Sequence, residues 1–162
     1  MKTFEFVKIV SGTKINIYSV VLDNSGINEF EKFLTEFSDN YIEDINNIIS
    51  KIDIIANVTG AREEFFKYER QASVFRFLNK VKNKKAKGKK YRESKTRLYC
   101  IKVGESILII GGGGIKEDNI EKFQEDTRLN EIVSNMETID KYLLKNEIDI
   151  IKAVDSAQSF ML

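Results

Sequence analysis

The stretch that most limits the fold is residues 96–116, TRLYCIKVGESILIIGGGGIK. Leu98, Cys100, Ile101 and Val103 form one apolar arm, and Ile107, Leu108, Ile109 and Ile110 form a second. Gly104-Glu105 supplies a turn between them, and β-branched residues dominate both arms. The spacing predicts a β-hairpin. An arm that is apolar at every position is covered on both faces, so the hairpin belongs inside a sheet. Gly111 to Gly114 are expected to end the second strand. Arg97 then sits where the first arm enters and Lys116 where the second leaves, and antiparallel pairing makes those two ends neighbours.

The rest of the chain supplies partners for this hairpin. Residues 3–10 and 14–22 read as two strands joined at Ser11-Gly12-Thr13, with Phe4, Phe6, Ile15 and Ile17 in two-residue alternation. A helix over 27–37 carries Phe30, Phe33, Leu34 and Phe37 on one face, and Asn28 with Glu31 is its expected cap. A second helix over about 41–58 presents a stripe of isoleucines and stops at Gly60. The short link between the two predicts a helical hairpin lying on a sheet. Residues 64–79 read as a strand or a strand pair. Asp118 is expected to cap a short helix and Thr127 a longer one, with Leu129, Ile132, Val133, Met136, Ile139 and Leu143 at helical spacing. Ile148, Ile151 and Val154 predict a last helix. The fold class is therefore α+β, an antiparallel sheet covered by an N-terminal helical hairpin, with additional C-terminal helices.

A length of 162 residues suits a single domain, 1–162, and 42% hydrophobic against 31% charged residues marks a globular chain. No run is long enough to span a membrane, and MKTFEFVKIV lacks the apolar region of a signal peptide. The one cysteine, Cys100, is expected as a buried small hydrophobe, which fits a reducing cytoplasm. There is no histidine, which excludes histidine acid–base catalysis and most zinc sites, and no metal or other cofactor is expected.

Charge is distributed unevenly. Residues 80–97 hold ten Lys or Arg against a single acid, Glu93, although the whole chain is only +1. Such a block is either a solvated loop or a phosphate-binding patch. On the second reading Arg76, Lys84, Lys85, Lys89, Lys90 and Arg92 contact RNA.

In this order of elements, residues 3–123 resemble the RelE/ParE/HigB toxin superfamily, and more closely its phage-derived HigB-like group. The residues that carry the resemblance are Arg97-Leu98-Tyr99, the strand ILIIGGGGIK ending at Lys116, and Glu64-Phe65-Phe66-Lys67 upstream. The resemblance implies a RelE-like core over 1–123 with a C-terminal helical extension over 124–162. It also implies a toxin of a type II toxin–antitoxin system, an RNA-binding endoribonuclease (mRNA interferase) acting free or on the ribosome, with a small antitoxin as partner. Two features depart from the family pattern: the basic loop before Arg97 is longer, and the helices after residue 123 are additional.

The chemistry can be set out without the family. Cleavage through the 2′-hydroxyl needs a base, charge stabilisation of the pentavalent phosphate and an acid for the leaving 5′-oxygen. Arg97 offers a planar fork of donors suited to phosphate oxygens. Without histidine the base must be Lys, Tyr or a carboxylate. Lys67 and Lys116, if they converge with Arg97, complete a candidate catalytic set. Tyr99 is expected on the other face of the strand, as core. Other readings stay open: Arg97 and Lys116 are also ordinary strand-end cations, and Lys67 has Glu64 and Glu69 within pairing reach. The glycine run lacks the spacing of a nucleotide-triphosphate loop, because Glu117 follows Lys116; it is expected to allow a bulge or a close approach. Two rival functions remain. One is a non-catalytic binder (an antitoxin, immunity protein or phage-encoded inhibitor) using the basic loop, and the other is a ParE-like gyrase poison.

Overall fold

A computed structural model describes residues 1–68, 74–82, 90–116 and 122–162, with backbone alone for 122–126. Its strands are β1 (Thr3–Ser11), β2 (Asn16–Leu22), β3 (Phe66–Tyr68), β4 (Val74–Phe77), β5 (Lys80–Lys82), β6 (Tyr91–Glu93), β7 (Thr96–Val103), β8 (Ile107–Ile115) and β9 (Ser159–Met161). Its α-helices are α1 (Glu29–Phe37), α2 (Ile42–Ile54), α3 (Lys122–Lys145) and α4 (Ile150–Asp155). The architecture is mixed α+β, built on a seven-stranded sheet of order β3-β4-β7-β8-β2-β1-β9.

The β7–β8 hairpin lies inside that sheet, as its apolar arms require, and turns at Gly104 with φ 61°. Every pairing in the sheet is antiparallel except β2 with β8, which is parallel. The β1–β2 and β7–β8 hairpins meet through their second strands. So long a connection leaves their relative direction free of any hairpin constraint.

Each face of the sheet has its own core. Ile17, Leu98, Cys100, Leu108 and Ile110 pack beneath Phe30, Phe33 and Phe37 of α1 and Ile45, Ile48 and Ile52 of α2. Tyr18, Tyr99, Ile101 and Ile109 pack beneath Leu129, Val133, Met136 and Ile139 of α3, joined by Phe160 of β9. Alternation along β7 and β8 sends neighbouring residues to opposite layers. Residues 124–162 thus cover the second face and add an edge strand beside β1.

Several local expectations change. The glycines do not end β8; the strand runs through all four to Ile115. A Cβ on Gly113 would lie 2.3 Å from the Arg97 carbonyl oxygen and 2.8 Å from the Phe33 ring, and one on Gly111 would lie 2.3 Å from Met136 Sδ. Their missing side chains let helices from both layers approach the strand closely. The register also slips between Leu98 and Cys100, where β8 carries an extra residue. Thr127 caps no helix, because α3 is continuous from Lys122 to Lys145; Asp118 lies outside the described residues. The second helix ends its α-helical turns at Ile54 and finishes as a π-helical turn, Ile55–Thr59, stopped by Gly60 at φ 74°. Asn28 caps α1 as expected, its Oδ1 accepting from the Glu31 N–H at 2.9 Å. Strand β9 lies outside every element the sequence predicts.

Among the described residues no helix is long and apolar enough to cross a membrane.

Candidate functional site

Three adjacent strands carry the site. Lys67 on β3 lies opposite Arg76 on β4, and Arg76 lies opposite Tyr99 on β7. Residues directly opposite in a ladder share a face, so these three form a row across the sheet. Arg97 lies two residues before Tyr99 and shares its face. Lys116 follows β8, and its N–H donates to the Lys95 carbonyl at 2.8 Å, which holds the end of β8 against the start of β7.

The four cations Lys67, Arg76, Arg97 and Lys116 line one cleft of about 240 Å³, with Tyr99 in its wall and Leu129 and Asn130 of α3 along one side. The sequence reading brought Arg97, Lys67 and Lys116 together as a set, and the fold places all three here, with Arg76 added from the RNA-binding group. Lys67 and Lys116 are exposed, Arg97 is half-buried and Arg76 is buried. The expectation for Tyr99 was wrong. It faces the same way as Arg97, because residues two apart on a strand share a side. Its ring is nonetheless core, only 4% exposed.

The arginines are held in place. Arg97 Nη1 donates to the carbonyls of Ser94 and Thr96. Arg76 Nη1 donates to Glu93 Oε1 at 2.9 Å, and Arg97 Nη2 lies 3.8 Å from the same oxygen. The Arg76 hydrogen bond, with the charges of Arg76, Arg97 and Lys67 behind it, holds the Glu93 carboxyl below the usual carboxylate range. Glu93 is thus ionised at neutral pH and touches two cations of the cleft. Sequence reasoning noted it only as the lone acid of a basic block, and that isolation was the signal available.

Glu93 reaches the cleft because β5 and β6 leave the main sheet as a two-stranded arm continuing from β4 and into β7. The base of the arm is a buried polar network on α2. Asn79 donates to the Asp44 carbonyl at 3.0 Å, Ser94 Oγ donates to the Asp44 carboxylate and lies 2.6 Å from Thr96 Oγ1, and the Ser94 N–H donates to the Asn79 carbonyl at 2.8 Å. Asp44, Asn79, Ser94 and Thr96 are all buried, and each finds partners within the cluster.

The rest of the predicted RNA-binding group lies elsewhere. Arg92 is on the other face of the arm from Glu93, with Nη2 3.6 Å from Asp44 Oδ1. Lys90 is exposed just before the arm's second strand. Lys84, Lys85 and Lys89 fall outside the described residues, as does Glu69, the alternative partner of Lys67.

Cys100 is wholly buried on the opposite face, and burial pushes its thiol pKa far up, so it is a packing residue. Among the described residues no three His, Cys, Asp or Glu side chains gather as a metal site. Comparison with protein-family models, with curated proteins and with solved structures finds no match to this chain.

Proposed function

We propose that the protein is a cytoplasmic toxin-type endoribonuclease that binds RNA in the four-cation cleft and is held in check by a small antitoxin. One observation carries this reading: Lys67, Arg76, Arg97 and Lys116 come from four separate stretches of chain and line one cleft. Four positive charges around so small a volume suit a phosphodiester, whose oxygens accept charge-assisted hydrogen bonds. The resemblance of residues 3–123 to the RelE-like order of elements supports the choice of RNA and of a toxin. Seven strands, two of them preceding the helical pair, make it a divergent arrangement.

The reaction is transesterification. The 2′-oxygen attacks phosphorus, its proton passes to a base, and the bond to the 5′-oxygen breaks as that oxygen receives a proton. Arg97 and Arg76 take the non-bridging oxygens, where negative charge grows. Among the described residues, Glu93, ionised and touching both arginines, is the carboxylate that lies beside the phosphate position, and it takes the 2′-proton as its hydrogen bond from Arg76 is given up to the phosphate. Lys67 and Lys116 are the ammonium groups that flank the phosphate and supply the leaving-group proton.

Induced expression tests this reading. The wild-type chain slows growth, co-expression of a neighbouring small gene product relieves it, and Arg97→Lys loses the effect while remaining folded, because lysine cannot make the two-pronged contact. A wild-type chain that binds RNA but neither slows growth nor cuts it is instead a non-catalytic binder. Inhibition of gyrase without RNA cleavage moves the protein to the ParE-like alternative.

A further inference from the structure

The β5–β6 arm forms a second groove beyond the cleft. Tyr91, Lys80, Val81 and Lys82 line it on the arm side and Asn46, Asn47 and Ser50 of α2 on the other, as a shallow groove open to solvent. Tyr91 is 61% exposed, so a face of its ring is open to a ligand. Lys82 lies opposite Tyr91 in the ladder, and Lys80 lies opposite Glu93. The arm therefore presents an aromatic face flanked by two exposed ammonium groups. Asn46 and Ser50 expose amide and hydroxyl groups across the groove. One acid, Glu43, also lines it.

The arm ties this groove to the cleft. Glu93, which contacts Arg76 and Arg97, is two residues from Tyr91 along β6, a rise of about 7 Å. A strand seated on the four cations passes beside the start of the arm, and Tyr91 lies within one nucleotide's reach of it. Phosphate contacts alone hold an RNA without reading it, whereas an aromatic face takes a base.

We infer that the exposed face of the arm along this groove is a base-binding subsite, in which Tyr91 stacks on an unpaired base of single-stranded RNA while Lys80 and Lys82, on the same face, hold the adjoining phosphates. The inference rests on the RNA reading of the cleft and adds the substrate class: an unpaired strand, since a base in a duplex offers no free face.

The chain contains no tryptophan, so Tyr91→Trp introduces a single fluorescent reporter at the proposed stacking position. Binding of single-stranded oligouridylate quenches it, and inorganic polyphosphate, which has the charge but no bases, binds the cleft without quenching. Tyr91→Ala weakens oligouridylate binding roughly 5- to 150-fold and leaves the salt slope unchanged. Lys80→Ala and Lys82→Ala each lower that slope by about 0.7. Tyr91→Thr, which keeps a strand-favouring residue, separates loss of the ring from loss of the strand. Wild-type affinity in both Tyr91→Ala and Tyr91→Thr, or equal quenching by polyphosphate, overturns the subsite while the cleft reading stands. A wild-type chain with no affinity for oligouridylate overturns both.

Discussion

Glu93 Oε1 accepts a hydrogen bond from Arg76 Nη1 at 2.9 Å across the gap between the main sheet and the arm. With Arg97 Nη2 at 3.8 Å, that single oxygen joins both arginines of the cleft. A carboxyl whose pKa is lowered on folding adds stability above its unfolded value, and that stability is lost as pH falls through the folded value. The window therefore lies below about 4.3, the ordinary glutamate value. Glu93→Gln is expected to remove this part of the acid-side loss of stability in denaturant titrations at graded pH. The effect is small, because the carboxylate is half exposed. Its larger effect is on rate: RNA cleavage falls while RNA binding is kept or strengthened, since a negative charge beside the phosphate is gone.

The glycine run makes a graded prediction. At Gly113 an added Cβ meets the backbone oxygen of Arg97 and the Phe33 ring, and neither can step aside cheaply. At Gly111 it meets the flexible end of Met136. Gly113→Ala should cost about 3 kcal/mol or more, the upper part of the overpacking range, and Gly111→Ala about 1 kcal/mol. Chemical denaturation checks the order; equal costs would mean that β8 shifts to absorb both.

The hairpin and the helical pair were legible because the sequence periods are unbroken there: apolar runs in β7 and β8, and aromatic and isoleucine stripes in α1 and α2. The glycines misled because in isolation they read as a strand end. Only the facing Phe33 and Met136, distant in sequence, reveal why a strand would contain them. The parallel β2–β8 contact has no local signal at all. For the site, Arg97 and Lys116 could be paired through the hairpin's own geometry. Lys67 came from the family resemblance, and Arg76 from the expected RNA-binding group, where it stands outside the 80–97 block. Glu93 was hidden because its role depends on an arm whose direction is set by Asp44, Asn79 and Ser94 (a network of long-range contacts no local pattern encodes).

That network yields a prediction of its own. Asn79 is 2% exposed and donates to the Asp44 carbonyl from within the bend between β4 and β5. Asn79→Ala leaves buried acceptors short of a donor and should cost about 1–3 kcal/mol. If the bend also positions Glu93, cleavage should fall further than the loss of folded protein explains, measured at a temperature where both proteins are fully folded.

The lysine-rich segment between β5 and β6 is tested by salt. Replacing Lys84, Lys85, Lys89 and Lys90 with Ala should flatten the log–log dependence of RNA affinity on salt by about 0.7 for each lysine that contacts a phosphate. An unchanged slope makes the segment a solvated bystander and confines RNA to the cleft and the groove.

The central claim is that the four-cation cleft acts on a phosphodiester and does not merely hold it. Single-turnover cleavage of RNA, with ribosomes present and enzyme saturating, measures that step apart from binding. Arg97→Lys and Arg97→Ala are expected to cut roughly 10²- to 10³-fold more slowly than wild type with RNA affinity changed far less, because the lost contact strengthens as charge develops in the transition state. Wild-type rates in Arg97→Ala, or no cleavage by the wild-type chain itself, would contradict it.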